Sequence, residues 1–349
     1  MALSILSAWS DLPDSAQTLL ARAEQDCLFC GDSWYGLFSR TVAERSFEPR
    51  WFVLSRERQA ELILPMMHRP GSGKKVLRSM SNYYTPYFSP VGARHDPETS
   101  LHTLLELAAD ALRQFDSIEF FPLTAAAARA FDQASHGLGF VAARAIQTYN
   151  WRQTGIRCFD EYWATRDSRL RNTVKRKRRK LDAEGGFTFS IAGTDDVERA
   201  LLAYRHVYRN SWKTQENYPE FIDGLLRAFA RRGQLRLGFV HHDGTPVAAQ
   251  IWLLGAGTAY IYKLAYDERY SARSLGTLLT HFLFRHMVEV EQVHTVDYLT
   301  GDDPYKAQWM SDRRPLYRLI WSNPRRPRGA AQAVTHGLRR RFRRADAVH

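Results

Sequence analysis

Apolar residues recur at helical spacing from residue 101 to 115, at Leu104, Leu105, Leu107, Ala108 and Leu112, which predicts an amphipathic helix. Ser15 to Gln25 and Thr124 to Ser135 read the same way. Short apolar runs predict strands at Trp51–Leu54, Glu61–Leu64, Ser117–Phe121 and Val141–Trp151, with Pro65 expected to end the second. The first 150 residues therefore alternate helix and strand.

The second half repeats the alternation. A basic helical stretch, 157–184, stops at Gly185-Gly186. A strand at Phe187–Ile191 and helices at Val197–Trp212 and Phe221–Arg231 follow. Strands at Leu235–His241 and Pro246–Leu254 are joined by Asp243-Gly244, a hairpin signal, and Gly255-Ala256-Gly257 leads into a third at Thr258–Asp267. The helix at 275–291 carries Leu275, Leu278, Leu279, Phe282, Leu283 and Met287 on one face. Thr295–Thr300 (strand), Pro304–Ser311 (short helix) and Leu316–Trp321 (strand) complete the order, and the Pro/Arg-rich end after Asn323 is expected to be loosely attached.

A chain of 349 residues with 44% hydrophobic and 13% aromatic content is a folded protein with room for two domains. No apolar run reaches bilayer-spanning length, and three cysteines make no disulfide framework, so a reducing, cytoplasmic setting is expected. Cys27 and Cys30 have half-site spacing without two further ligands, so no metal is expected. The net charge of +12 is concentrated in Arg166–Lys180 and in an arginine-rich tail (Arg325, Arg326, Arg328, Arg339–Arg341, Arg343, Arg344). Such clusters suit nucleic acid, anionic lipid or polyanionic substrates, or are simply solvated faces.

The most informative stretch is 266–306. A strand ends at Tyr266-Asp267, and the turn Arg269–Thr277 opens a helix. A helix start offers free N–H groups and positive potential to a phosphate. Arg269 and Arg273 flank this one, Ser274 and Thr277 lie in it, and Gly276 leaves room for close approach. Downstream, Asp302 could hold or deprotonate an amine, while Asp303 before Pro304 is the natural helix cap. Lys306 could bind an anionic acceptor or a donor phosphate, or be an exposed first-turn lysine. Lys263 sits on an apolar strand face with Ile261 and Ala265, which predicts that it faces a cleft, paired with Asp302 or Asp297. His281 and Arg285 are expected on a solvated helix face. Asn82, Tyr83 and Tyr84 could stack on a sugar or polar acceptor, or pack in a core. Gly71-Ser72-Gly73-Lys74 lacks the glycine and Ser/Thr that a P-loop needs.

The basic helix with Leu181 and Gly185, Ser211-Trp212-Lys213, Asp243–Ala249, Tyr266-Asp267, Ser274–Leu279 and Gly301–Lys306 together resemble the GNAT superfamily of acyl-CoA N-acyltransferases. The resemblance is to its two-domain branch: the cellulose-biosynthesis-associated acetyltransferase-like proteins and the Fem peptidoglycan-bridge aminoacyltransferases. It covers about 157–321 well and 1–150 loosely, through Trp34-Tyr35 and Asn82–Tyr84. It departs at Leu275, where the family usually has proline.

The resemblance implies an α/β (α+β) fold of two tandem GNAT-like domains, each a mixed, mostly antiparallel sheet flanked by helices. The expected boundaries are 1–150 (degenerate, structural or acceptor-binding), 151–322 (catalytic) and 323–349 (basic tail). It also implies acyl-CoA (acetyl-CoA) as co-substrate, with pantetheine along Leu264, Ala265 and Tyr266 and phosphate on Arg269–Thr277. Tyr305 would protonate the leaving thiolate, and Trp212 with Asn82–Tyr84 would bind the acceptor, an amine of a sugar, glycan, amino acid or peptide. The pathway expected is polysaccharide or envelope biosynthesis. An acyl carrier protein or a charged tRNA could replace CoA, the tail could touch an anionic membrane, and a non-enzymatic nucleic-acid-binding protein is the remaining alternative.

Overall fold

The computed structural model describes residues 1–92, 97–192 and 196–335. The chain divides into two compact units, Met1–Thr148 with Pro315–His349, and Tyr149–Arg314. Among the described residues no helix is long and apolar enough to cross a membrane.

The first unit holds β1 (Ala2–Leu6), α1 (Asp14–Asp26), α2 (Asp32–Phe38), α3 (Glu44–Ser46), β2 (Glu48–Arg56), β3 (Gln59–His68), β4 (Val76–Ser79) and β5 (Val91–Gly92). It continues with α4 (Pro97–Leu107), α5 (Ala109–Leu112), β6 (Ser117–Leu123), α6 (Ala125–Leu138) and the first part of β7 (Val141–Gln153). Its strands run β1-β2-β3-β4-β6, antiparallel except for the parallel pair β4–β6, with β5 on β3. Helices cover both faces. Phe52, Leu64 and Met66 pack with Leu104, Leu105 and Phe131 on one side, and Trp51 meets Trp9 and Tyr35 on the other. Burial on both faces explains why β2 and β3 read as near-continuous apolar runs.

Pro65 does not end β3, which continues to His68. β3 pairs with β5 at Leu62–Ile63 and with β4 at Met66–His68, and the Pro65 carbonyl points to that side, accepting from Met80. The missing N–H therefore falls in a gap of the ladder.

The second unit holds the end of β7, then α7 (Phe159–Ala164), α8 (Ser168–Glu184), β8 (Phe187–Ala192), α9 (Val197–Arg209), α10 (Pro219–Arg231), β9 (Leu235–His242), β10 (Thr245–Gly255) and β11 (Thr258–Tyr266). After a 3-10 turn come α11 (Leu275–Glu289), β12 (Thr295–Thr300), α12 (Pro304–Trp309) and β13 (Asp312–Ser322). The strands run β7-β12-β11-β10-β9-β8. Both hairpins turn through consecutive positive-φ residues, Asp243-Gly244 and Ala256-Gly257, as two-residue loops require. The core centres on α11, with Leu275, Leu279, Leu283 and Phe284 against Trp252 and Ile261.

Two boundaries differ from the sequence expectation. The last strand was expected in the second domain, yet Tyr317–Ser322 pair antiparallel with Ser117–Leu123 of β6, and Trp321 packs on Phe120. Apolar periodicity identifies a strand but not the sheet that takes it. The start of the tail is also anchored. Asn323 donates to the carbonyls of Arg113 and Phe115, and Arg326 pairs with Asp116 at 2.8 Å. The arginines at 339–344, with the proposed membrane contact, lie outside the described residues.

Candidate functional site

β11 and β12 pair in parallel over three positions, Thr258↔Thr295, Ala259↔Val296 and Tyr260↔Asp297. β11 then follows β10 as far as Tyr266, with a bulge opposite Ile251/Trp252. Two strands that start paired and then part leave a gap, with Lys263, Leu264, Ala265 and Tyr266 along one side.

β12 is turned away by a polar knot. Leu299 takes a positive φ of 56°, and its N–H donates to Asp297 Oδ1 at 2.7 Å. Asn150 donates to the same Oδ1 at 2.6 Å and to the Leu299 carbonyl at 3.1 Å. Arg314 donates to Asn150 Oδ1 and lies 3.6 Å from Asp297. These buried partners hold the strained residue in place.

The turn at the end of β11 has the expected form. Asp267, buried, accepts from the N–H of Arg269 and caps the 3-10 turn Glu268–Arg273. Ser274 is left-handed (φ 58°), and α11 starts at Leu275, where Leu275 is buried in the core. The first N–H groups of α11, at 275–277, have no acceptor within the helix. Buried Gln250 donates to the Gly276 carbonyl and to Thr280 Oγ1, tying this end to β10. A Cβ on Gly276 would lie 3.6 Å from the Tyr266 ring, an ordinary contact, so the fold itself does not demand glycine there.

The two flanking arginines are committed to carboxylates, which the sequence did not reveal. Arg269 binds Asp267 at 2.5 Å, and Arg273 pairs with Glu184 and lies over Tyr270. Positive charge at the turn comes also from α8, whose Lys177 donates to the Ala272 carbonyl. The rest of its basic face, including Arg169, Lys175, Arg176, Arg179 and Lys180, lines a groove of about 980 Å3.

Lys263 is nearly buried, as its strand position predicts, but its partner is Glu216 at 2.6 Å rather than Asp302 or Asp297. Burial lowers the Lys263 ammonium from its ordinary pKa, and Glu216 opposes the shift. Beside it lies Lys213, pushed down to about 8 by burial and then by the Lys263 charge. Lys213 sits over the rings of Tyr208 and Trp212, and Trp212, half exposed, meets Tyr266 at 4.4 Å. Lys213 and Glu216 escaped the sequence reading because they lie in a polar loop with no periodicity. A Lys next to an aromatic in Ser211-Trp212-Lys213 was the available signal. Glu216 also lines a cavity of about 320 Å3 between α9 and α10, with Tyr204, Tyr208, Leu202 and Ile222.

Asp302 is not placed as a base. Arg313 holds it through two bonds, at 2.8 and 2.5 Å, and Trp151 Nε1 donates at 3.0 Å. The Arg313 guanidinium keeps its carboxyl below the usual range. Asp303 stands at the N-cap position of α12 but its side chain makes no cap bond, lying 3.7 Å from Lys306 instead. Lys306 is buried (4% exposed), not an exposed first-turn lysine. Its Nζ donates to the carbonyls of Thr300 at 2.6 Å and Tyr298 at 3.2 Å. Burial lowers its pKa and Asp303 opposes the shift. An ammonium spent inward pins β12 to α12 and is not offered to an acceptor. Tyr305, part-exposed, stacks edge-on to Tyr298 at 5.6 Å, and burial with the Asp303 charge raises its pKa, so its hydroxyl stays protonated.

Asn82, Tyr83 and Tyr84 belong to the first unit. Asn82 Oδ1 accepts from the Tyr84 N–H in a local turn, Tyr84 is buried and Tyr83 is exposed. His281 is not solvated. It packs on the Phe159 and Trp163 rings, and burial followed by the Arg285 charge takes it down to about 4.

Residues 168–307 match the acetyltransferase (GNAT) domain family. Over that stretch the chain is similar to a GNAT domain. No curated protein sequence matches the chain. Among solved structures, FemX aligns with a TM-score of 0.61 at 9% identity, over 93% of this chain and 98% of that one. L-PGS from Bacillus licheniformis aligns at 0.58 and 12% identity, over 97% and 98%. A tandem GNAT protein of the clavulanic acid biosynthesis pathway aligns at 0.54 and 13%, over 92% and 98%. The chain has the two-domain GNAT/Fem-like fold, with the paired units that the sequence resemblance implies.

Proposed function

We propose that this protein is an N-acyltransferase that moves an acyl group from acyl-CoA, or from an acyl carrier protein, to an amine of a sugar, amino acid or peptide in polysaccharide or envelope biosynthesis. The observation that carries the reading is the gap between β11 and β12, with the unsatisfied N–H groups of α11 at its mouth. An extended thioester donor would lie along Leu264–Tyr266 with its phosphates at 274–277. The acceptor amine would enter by the cavity between α9 and α10, where Glu216 attracts its ammonium form. Lys213, with a pKa of about 8, is about one-tenth neutral at pH 7, far more than an ordinary lysine, and would take the proton. As the amine nitrogen bonds to the thioester carbonyl carbon and the C–S bond breaks, Tyr305, held protonated, would give a proton to the departing thiolate and regain one from solvent, to which Lys213 passes its own. No covalent enzyme intermediate is needed.

One observation favours a second donor, charged tRNA: the basic groove lined by α8. The deciding experiment is calorimetric titration of CoA and acetyl-CoA into wild type and Gly276→Glu. The wild type should bind at micromolar levels and the variant, with a carboxylate where a phosphate belongs, should not. A folded wild type that binds neither sinks the CoA donor, and charged tRNA is then titrated at two salt concentrations, where phosphate contacts weaken steeply with salt.

A further inference from the structure

The first unit contains a cavity of about 420 Å3 lined by its own residues. Arg50 and Phe52 of β2, His68 at the end of β3, Arg69 and Lys75 of the loop joining β3 to β4, and Phe115 line it. It does not correspond to a donor gap. β4 and β6 are paired at this end, from Val76↔Ser117 to Arg78↔Glu119, and a parting of these strands would come only after it.

The cavity is built for an anion with an apolar body. Four nitrogen groups converge from three segments, but one carboxylate serves two of them. Glu48 Oε2 lies 3.1 Å from Arg50 and 3.4 Å from His68 Nε2. Arg50 is also fixed by Ser7 Oγ at 2.7 Å. Arg69 lies over the Phe47 ring at 5.2 Å. Neither Arg69 nor Lys75 has a carboxylate within ion-pair distance among the described residues. His68 is mostly buried edge-on to Phe115, and its Nδ1 has no hydrogen-bond partner among the described residues. Burial and then the Arg50 charge hold the imidazole below its ordinary pKa, as expected where cations outnumber anions. Two uncompensated cations match a dianion better than a carboxylate, and the Phe52 and Phe115 rings offer an apolar wall.

We infer that this cavity is a binding site for a phosphomonoester with a small apolar body, separate from the acyl-transfer gap. The inference stands whatever the donor proves to be. The test is calorimetry of the full chain with phenyl phosphate, inorganic phosphate and benzoate at fixed ionic strength, with Arg69→Glu/Lys75→Glu as the variant. Both substituted residues are exposed, so the fold should survive, and circular dichroism checks it. Phenyl phosphate should bind the wild type saturably with Kd below about 1 mM, benzoate at least about tenfold more weakly, and the variant at least about tenfold more weakly than wild type. A phosphate supplied by a lipid head would show instead as binding to phosphatidate-containing vesicles that the double substitution abolishes, with phenyl phosphate weak. Loss of neither interaction in a folded variant, or no saturable binding of phenyl phosphate or phosphatidate vesicles to the wild type, overturns the assignment.

Discussion

Gly301→Ala should be one of the most damaging single-methyl additions in the second unit. Gly301 has φ 116°, a region that residues with a Cβ rarely enter, at a cost of roughly 1–3 kcal/mol. The added Cβ would lie 2.8 Å from Lys306 Nζ and 3.0 Å from Asp303 Oδ2. The ammonium would have to withdraw from the Thr300 carbonyl at 2.6 Å, a charged hydrogen bond worth roughly 1.5–3 kcal/mol. The two effects together come to about 2.5–6 kcal/mol, or roughly 5–24 °C in melting temperature for a unit of this size. Thermal unfolding gives the total, and amide exchange in β12 and α12 locates it. In a Lys306→Ala background the ammonium is gone, so the same glycine change should cost only its backbone part, about 1–3 kcal/mol. If Gly301→Ala melts within about 1 °C of wild type, or costs as much without Lys306, the packing of the ammonium under the glycine is wrong.

Two further outcomes follow from the site. Lys213 has a folded pKa of about 8 against an ordinary 10.5, so the unfolded chain binds more protons between these values and stability rises with pH across that window. The rise should amount to about 2–3 kcal/mol and be absent from Lys213→Met, by urea unfolding at several pH values, while an equal rise in the variant would show that another group causes it. In a thiol-release assay with acetyl-CoA and amine acceptors, Glu216→Gln should lower turnover at least about tenfold and Asp302→Asn less than about threefold. The reverse ranking would restore Asp302 as the group that handles the amine.

Much of this arrangement could be read in the sequence where the signal is local. The hairpin at Asp243-Gly244, the turn before α11 and the oddity of Lys263 all depend on neighbours a few residues away. What was missed depends on contacts remote in the chain. Glu216 meets Lys263 from 47 residues earlier. Asp302 looks free until the start of β13 brings Arg313 beside it. Arg269 and Arg273 look like free cations until Asp267 and Glu184 are placed. Charge type is visible in a sequence, but compensation of charge is a property of the fold. The apolar core of the first unit was predictable as apolar, not as including Leu319 and Trp321.

That last strand has a consequence for how the protein is made. The second unit is one unbroken stretch of chain, Tyr149–Arg314, and its sheet can close as soon as that stretch has left the ribosome. The first unit is begun earlier but cannot be finished earlier, because Leu319 and Trp321 of its core are translated only after the whole of Tyr149–Arg314. Until then Phe120 and Phe131 lack a partner they will later pack against, and closing the unit means joining segments separated by the whole of the other one, a loop whose entropic cost grows only logarithmically with length. Residues 1–148 thus wait, with an open sheet edge at β6, for a strand that follows the second unit. A chain cut short just after Arg314 would retain every residue along the gap between β11 and β12 and lose the completion of the first unit.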